Sequence, residues 1–399
     1  MSGVELLVTV TALLILLFCI ELWVHNKNLA KIPIRIHVNG TRGKSSVTRL
    51  IAAALREAGI VTCAKTTGTL ARMILPDGRE VPIFRPAGPN VIEQKRIVAT
   101  AVAHGARALV VECMALQPEL QAFSELKLLK ATCGVITNAR PDHLDVMGPT
   151  EADVASALAG MIPRKGLLYT AERAELAVLE AAARDRQCEL VSISEADVAA
   201  VGDAELAPFQ YTEHPDNVAL ALRVLSDLGV ERETALSGMW KGRPDPGALT
   251  RYDVDFFGRR IVFYNAFAAN DPVSTQKLWD LAHRRTPSVT TRIAVFNCRA
   301  DRPDRSLRLG RDFTRWTKAD HVVLMGTGTY LFARAATRAG FDPGRLVFAE
   351  DMDVHEIFER IVGLVEHSAL VIGMGNIGGQ GLRLVQHFAN RARPAGTVE

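Results

Sequence analysis

The sequence predicts an α/β protein. A P-loop-type domain on a central parallel sheet comes first, then a smaller Rossmann-like α/β domain, with a transmembrane helix at the N-terminus. Three observations carry that expectation. Short apolar runs of strand length alternate with amphipathic stretches of helix length over most of the 399 residues. Residues 34–46, IRIHVNGTRGKSS, have the strand, glycine loop, lysine-serine and helix layout of a phosphate-binding loop. Residues 4–24 are apolar over about the length that crosses a bilayer.

The N-terminal stretch carries only Glu5 and Glu21 as charges. Its start, MSGVE, has no basic residue and does not read as a signal peptide. It reads as an uncleaved anchor; a buried helix is the alternative that the two glutamates keep open. Trp23 suits a membrane interface. Lys27, Lys31 and Arg35 follow the span, so the positive-inside rule places the N-terminus outside and the rest in the cytoplasm. Glu21, costly in lipid unless paired or at the edge, reads as a contact with a membrane partner.

In the loop, Gly40, Thr41, Arg42, Gly43, Lys44, Ser45 and Ser46 follow the apolar positions Ile34, Ile36 and Val38. Glycines let backbone N–H groups converge on one centre, and the helix that follows adds positive charge at its N-terminus. Lys44 can reach the β- and γ-phosphates, and the Ser45 hydroxyl can ligate Mg²⁺. The longer form of the motif needs glycine where this chain has Val38. Val47, Leu50, Ile51, Ala54 and Leu55 then recur at helical spacing.

Residues 61–65 read as a strand, 71–83 as a hairpin around Pro76-Asp77-Gly78, and 92–104 as a helix. The run 108–111 is a strand ending in Glu112. Ligands of open α/β sheets gather at the carboxyl ends of strands, so Glu112 is placed to face a nucleotide; a capping or surface glutamate is the competing reading. A strand over 133–137 runs into Asn138 and then Asp142-His143-Leu144-Asp145. Two carboxylates and a histidine there can hold a metal or orient a phosphate, or form an ordinary loop with a satisfied histidine. Helix 151–161, strand 167–170 and helix 174–184 continue the alternation. His214-Pro215-Asp216-Asn217 opens a helix to 228, and another spans 232–240. The breakers of 241–247 mark a boundary. The expected domains are 1–31, 32–240 and 241–399.

The second half repeats the pattern. Strands are expected at 251–256, 261–264, 293–296, 321–324, 346–349 and 369–372, and helices at 272–284, 313–318, 330–339 and 354–365. Residues 373–378 match GxGxxG but lack the acidic residue about twenty positions on, and read as a tight glycine turn. The last dozen residues read as a tail. Arg299, Arg302, Arg305, Arg308 and Arg311 recur every third residue in a predicted loop. Such a run is either a solvated face or a site for a polycarboxylate or phosphate, with Arg299, Arg302 and Arg305 as the candidate substrate contacts.

Composition excludes some classes. The 47 basic and 44 acidic residues give no global basic bias, so nucleic acid is not an expected partner. Six cysteines without CxxC spacing argue against a disulfide framework or a zinc site and fit a reducing compartment.

Taken in order, GTRGKSS, Glu112, Asn138 with the Asp142–Asp145 run, His214 with Asn217, and Gly242-Arg243 resemble the Mur ligase superfamily of ATP-dependent amide-bond-forming enzymes. The resemblance runs from about residue 32 to the C-terminus. It is weaker later on, where residues 265–274 (NAFAANDPVS) and Asp301-Arg302 are degraded matches. It implies that Lys44 holds the ATP phosphates, Ser45 one Mg²⁺, and Glu112 with His143 a second, which makes Lys44, Glu112 and His143 the expected catalytic set. It places His214 and Asn217 near the adenine. Arg243 and Asp301 match positions that the family's C-terminal domain contributes to its closed site. Two departures stand out. Where many members carry a carbamylated lysine this chain has Ala157 beside Ser156. The domain that binds nucleotide-linked precursors is replaced by the anchor.

Anchor, core and the run NARPDHLDVMGPT together are similar to the poly-γ-glutamate-synthesising group of that superfamily. This similarity implies ATP and Mg²⁺, glutamate and a growing polyglutamate chain as substrates, an acyl-phosphate intermediate, and other membrane subunits of a synthesis and export complex as partners. The competing expectations are a folate-type polyglutamate ligase and a tethered ATPase that drives export without forming a bond.

Overall fold

The computed structural model describes residues 2–393 apart from Thr69, Ala87 and Asn270. The end of the expected tail (394–399) and Asn270 of the NAFAANDPVS segment therefore lie outside the described residues, as does the side chain of Asp145 in the Asp142–Asp145 run. The chain forms two compact units: Met1–Phe209 with Glu213–Arg243, and Gln210–Thr212 with Pro244–Glu399.

The first unit runs α1 (Gly3–Ala30), β1 (Ile34–Asn39), α2 (Lys44–Glu57), β2 (Thr62–Thr66), β3 (Arg72–Ile74), β4 (Glu80–Pro82), α3 (Glu93–Ala103) and β5 (Ala108–Glu112). It continues through α4 (Pro118–Phe123), a π-helical turn Ser124–Leu129, β6 (Cys133–Ile136), α5 (Leu144–Met147), α6 (Glu151–Leu158), β7 (Leu167–Thr170), α7 (Leu176–Asp185) and β8 (Glu189–Ser192). Short helices α8 (Glu195–Ala199) and α9 (Asp203–Leu206) precede α10 (Pro215–Asp227) and α11 (Arg232–Lys241). The strands form one sheet in the order β4-β3-β2-β5-β1-β6-β7-β8. All pairings are parallel except those of β3, which is antiparallel to both β2 and β4. The sheet is therefore mixed, with the expected hairpin at its edge. β1 and β5 lie inside it, and Ile36, Val38 and Ala108–Glu112 are buried, as a strand covered on both faces requires. On α2, Val47, Leu50, Ile51, Ala54 and Leu55 are buried against sheet and neighbouring helices, each large side chain contributing about 1.5–3 kcal/mol.

Helix α1 is exposed along its apolar length and buried only at His25 and Leu29. By length and composition it can cross a membrane. Its C-terminal end is docked on the first unit. A ring nitrogen of His25 lies 2.8 Å from the Leu128 carbonyl, and Lys130 Nζ donates to Asn26 Oδ1 at 2.8 Å. The Arg35 guanidinium donates to the carbonyls of Ile32 and Lys130 at 2.6 and 2.8 Å. Glu21, expected to face a partner protein, instead meets Lys95 of α3 at 2.9 Å. An intramolecular lysine within reach satisfies the carboxylate that the sequence left unexplained.

The second unit contains β9 (Thr250–Phe256), β10 (Arg259–Asn265), α12 (Pro272–Arg285), β11 (Thr291–Cys298), α13 (Pro303–Phe313), β12 (His321–Gly326), α14 (Thr329–Arg338), β13 (Leu346–Glu350), α15 (Val354–Gly363), β14 (Ser368–Met374) and α16 (Gln380–Ala389). Its sheet has the order β13-β12-β11-β14-β10-β9, parallel except for β9. Two apolar layers, one around Trp279, Phe296, Phe313 and Phe332 and one around Phe263, Phe358 and Phe388, cover its faces.

Two expectations are corrected here. The helix expected at 313–318 lies instead over the arginine run, at Pro303–Phe313. Pro303 sits in the first turn, where its missing N–H costs nothing. Ser306, Leu309, Gly310 and Phe313 form the buried stripe, which throws Arg308 and Arg311 to the outside. The residues read as the start of a tail belong to α16 as far as Ala389, with Phe388 fully buried.

Candidate active site

The site of the first unit is built at the carboxyl ends of β1, β5 and β6. The backbone leaves β1 at Gly40, with φ +131°, and enters α2 at Gly43, with φ +85°. Neither position accepts a side chain. A Cβ on Gly40 would lie 2.0 Å from Thr137 Oγ1, and one on Gly43 2.6 Å from Asn217 Oδ1. The loop between them is clasped by the residues after β6. Thr41 donates its hydroxyl to Asn138 Oδ1 at 2.7 Å and its N–H to the Asn138 carbonyl at 3.0 Å. Asn138 Nδ2 and the Thr137 hydroxyl both donate to the Arg42 carbonyl, at 3.0 and 2.6 Å. Lys44 Nζ lies over the loop, donating to the Gly40 carbonyl at 2.6 Å.

Glu112 is 1% exposed, which removes the reading as a surface or capping residue. Its Oε2 accepts from the Ser45 hydroxyl at 2.9 Å and from the Thr67 N–H at 2.7 Å. Gly68 closes over this pair, since a Cβ there would come within 2.5 Å of Ser45 Oγ. Ser46 donates to Glu213 Oε2 at 2.8 Å, and Glu213 Oε1 accepts from Asn217 Nδ2 at 2.8 Å and from the His214 N–H at 2.9 Å. Asn217 is buried beneath Gly43, whereas the His214 side chain is exposed at the N-cap of α10. A cleft of about 200 Å³ opens beside the loop, lined by Asn138, Arg140, Glu172, Arg173, Asp216 and Asn217 among others.

His143 follows the same β6 end, next to Asp142. It has φ +46°, caps the one-turn helix α5, and pairs with Asp142 at 4.0 Å. No hydrogen bond or ion pair joins it to Glu112 among the described residues. Arg42 reaches the same Asp142 carboxylate at 3.9 Å. Arg243 is the last residue of the first unit, exposed, with its carbonyl accepting from Arg49 at 3.3 Å. Ala157 is buried, and the Ser156 hydroxyl is spent on the Ala152 carbonyl at 2.9 Å.

Sequence reasoning missed several residues that shape this edge. Glu213 ties α2 to α10. Glu172, 7% exposed, accepts from the Ala139 N–H at 2.6 Å and fixes the segment after Asn138. Lys65, fully buried at the end of β2, meets Glu93 at 2.6 Å, and Arg85 reaches the same oxygen at 2.6 Å. Burial pulls the Lys65 ammonium below its usual range against the opposing pull of Glu93. Glu213 stands directly before His214, so a carboxylate adjoining the family-like segment was the available signal.

The second unit holds the other expected residues. Arg299 makes a paired contact with Asp301, at 2.9 and 2.6 Å, and holds that carboxyl below its usual range. Arg302 is the exposed N-cap of α13. Arg305 Nη1 donates to Asn376 Oδ1. Arg311 pairs with Asp312 at 3.0 Å. The array is therefore not a loop of unpaired guanidinium groups: Arg299, Arg305 and Arg311 have partners within the second unit. Asn297 and Asn376 lock the glycine turn after β14 to the end of β11, with Asn376 Nδ2 donating to the Asn297 carbonyl at 2.9 Å. Asn265 is buried and donates to the Pro246 and Ala248 carbonyls at 2.8 and 3.2 Å.

The clasp is that of a phosphate-binding loop, and the sequence around it puts the chain among the nucleotide-dependent ligases of the Mur type. The Mur ligase middle domain model matches residues 38–239. The fold is shared with solved folylpolyglutamate synthases. Escherichia coli FolC in complex with DHPP and ADP has a TM-score of 0.65 over 93% of each chain at 14% identity. The Thermotoga maritima enzyme gives 0.65 over 96% of this chain and 93% of that one, at 15% identity. Closer in sequence are "PGA synthase CapB" of Bacillus subtilis (strain 168), 37% identical over 383 residues and 96% of both chains, and the "Capsule biosynthesis protein CapB" of Bacillus anthracis, 39% identical over 89% of this chain and 76% of that one. Residues 251–391 match the poly-gamma-glutamate synthase CapB C-terminal domain. The chain belongs to the CapB family of poly-γ-glutamate synthases.

Proposed function

We propose that this chain is the ATP-dependent ligase that extends poly-γ-glutamate at the cytoplasmic face of the membrane. The observation that carries the reading is the clasped loop 40–46 with the Ser45–Glu112 pair, in a chain that aligns with PGA synthase CapB over 96% of both. The residues fit the groups the reaction requires. Gly40 and Gly43 let the loop pack against Thr137 and Asn217 in a conformation that brings the N-terminus of α2, with its unpaired first-turn N–H groups, to the loop where a triphosphate would bind. The Ser45 hydroxyl and the Glu112 carboxylate are hard oxygen donors 2.9 Å apart, a pair suited to Mg²⁺. Bound there, the cation would neutralise charge as a phosphoryl group passes from ATP to a glutamate carboxylate.

The chain's own groups then divide the work. Lys44 supplies an ammonium held over the loop by the Gly40 carbonyl, where it would lie between two anions that otherwise repel. Thr41, Thr137 and Asn138 hold the loop so that its N–H groups need not reorganise during transfer. Asn217, fixed by Glu213 beside the cleft, would lie next to the adenine, and Arg173 is available on the same wall. The activated carboxyl, an acyl phosphate, is attacked by the amine of the incoming glutamate, and phosphate leaves. Arg299, Arg302 and Arg305 of the second unit would serve the acceptor chain, and Asp301, like Arg243, would serve the nucleotide.

His143 is the test of a second cation site. His143→Ala is expected to shift the Mg²⁺ activation curve of ligation to higher concentration while ATP binding is retained. An unchanged curve would leave His143 as the cap of α5 and Asp142's neighbour.

The anchor reading gives a second expectation, with α1 spanning the membrane, its N-terminus outside, and other membrane subunits of an export complex beside it. Deleting residues 2–24 spares the docking contacts of His25 and Asn26. The shortened chain should bind ATP normally, move to the soluble fraction and abolish surface polymer. Full surface polymer from the truncated chain would show that tethering is not needed for export.

A further inference from the structure

We propose that the first unit is mounted with the carboxyl edge of its sheet, the edge bearing residues 40–46 and Glu112, turned toward the bilayer. The ligase site then works against the membrane surface rather than facing away from it. The proposal rests on the reading of α1 as a membrane span.

The course of α1 carries the argument. Its last residue, Ala30, is separated by three residues from Ile34, the amino end of β1. Helix α3 ends at the same edge, since Ala108 of β5 pairs with Ile34 and the Ile34 N–H donates to the Arg107 carbonyl at 3.2 Å. From that edge the two helices climb together. Leu29 shares an apolar cluster with Ile97, Val98 and Ala101 in the middle and later turns of α3. Two turns earlier in α1, Glu21 meets Lys95, nearer the start of α3, at 2.9 Å. Residue numbers rise together along both, so the helices run in the same sense. The start of α3 lies at the carboxyl edge, because the chain enters it from β4, which runs parallel to β2 through the intervening β3. Followed back from Glu21, α1 therefore leaves the unit past its carboxyl edge. The heights agree. The six residues of β1 climb roughly 17–20 Å. At about 1.5 Å per residue α1 makes that climb in about twelve residues, from Ala30 to about Phe18, so Gly3–Leu17 project beyond the edge while the exposed apolar residues Ile20, Leu22 and Trp23 flank the unit just below it, which seats the edge itself in the interfacial layer.

A second observation points the same way. Outside α1, six of the nine exposed large apolar side chains among the described residues of the first unit gather on that edge; Val81 lies within β4 and Phe123 at the far end of α4. Phe84 (76% exposed), Ile92 (52%), Leu116, Leu120, Leu144 and Val146 all follow the carboxyl ends of β4, β5 or β6. Only Val61, before β2, stands at the opposite edge among the described residues. Arg96, exposed, donates to the Phe84 carbonyl at 3.1 Å and puts a cation among them. Apolar side chains mixed with arginine and lysine are the composition that settles into the headgroup layer of an anionic membrane. A polyanion extended at this edge would be released where an export partner could take it.

Site-directed labelling tests the orientation in the full-length chain. Cys19 is the one exposed cysteine, so Cys19→Ser leaves a background of buried thiols. Onto it Ile92→Cys and Leu120→Cys place a label at the carboxyl edge, and Val61→Cys and Arg107→Cys at the amino edge. Each protein, checked for ATP binding, is labelled with an environment-sensitive fluorophore. It is then reconstituted into phosphatidylcholine–phosphatidylglycerol vesicles containing headgroup-nitroxide lipid. Loss of fluorescence is expected at 92 and 120 and none at 61 and 107. Equal quenching at both edges, stronger quenching at 61 or 107, or none anywhere would overturn the orientation. Should Ile92→Cys fail to bind ATP, the comparison stands on Leu120→Cys. Flotation after alkaline carbonate separates the premise from the proposal. A chain extracted by carbonate removes the span itself, whereas a chain that floats and shows the wrong quenching removes only the orientation.

Discussion

Lys44→Ala is expected to abolish ATP-dependent glutamate ligation while the protein still folds. Lys44 lies partly exposed over the loop, bonded to the Gly40 carbonyl at 2.6 Å, and packs into no apolar layer. Its loss should leave the fold standing. The clasp of the loop by Thr41, Thr137 and Asn138 does not use the ammonium, so the glycine cradle also survives. What disappears is the ammonium that lies over the loop. Removing one preorganised charge stabiliser costs on the order of 10²–10³ in rate, and more where two anions must be brought together. Amide formation and melting temperature, measured side by side, decide the matter. Near-normal ligation would remove the phosphate-loop assignment.

Glu112→Gln is expected to be nearly as damaging, for a different reason. The substitution keeps the shape of the side chain and one carbonyl oxygen for the Thr67 N–H. It removes the negative charge from a buried position beside Ser45. If Glu112 serves a divalent cation, the Mg²⁺ concentration needed for half-maximal ligation should rise by about 10–100-fold or more. Nucleotide affinity without metal should change little. An unshifted metal dependence would make Glu112 a purely structural tie between β5 and α2.

Much of this was legible in the sequence because it is carried by period and by turn chemistry. The strands that became β1, β5, β6 and β7 are short apolar runs bounded by glycine, proline or charge. The loop 40–46 announces itself because its glycines are needed for a backbone that no side chain tolerates. Residues whose role depends on a distant partner were not legible. Glu21 reads as an anomaly until Lys95 is brought beside it. Glu213 and Glu172 are ordinary loop carboxylates until the fold sets backbone N–H groups around them. The segment 118–129 was passed over because an α-turn running into a π-turn has no constant period. Helix α13 is obscured in the sequence because its buried side, Ser306, Leu309, Gly310 and Phe313, contains only two large apolar residues among arginines at every third position. A shared metal site for His143 and Glu112 is what the family resemblance implies, and the activation curve of His143→Ala tests it. The fold gives Glu112 to Ser45 and Thr67, and His143 to Asp142.

The most direct measurement is a mass spectrum of what membranes carrying this chain make from ATP, Mg²⁺ and isotopically labelled glutamate. A ladder of glutamate oligomers joined through side-chain carboxyls, formed with stoichiometric ADP and phosphate and absent with Lys44→Ala, is the expected result. ATP turnover without any new amide bond, or transfer of glutamate only to a folate acceptor, would contradict it.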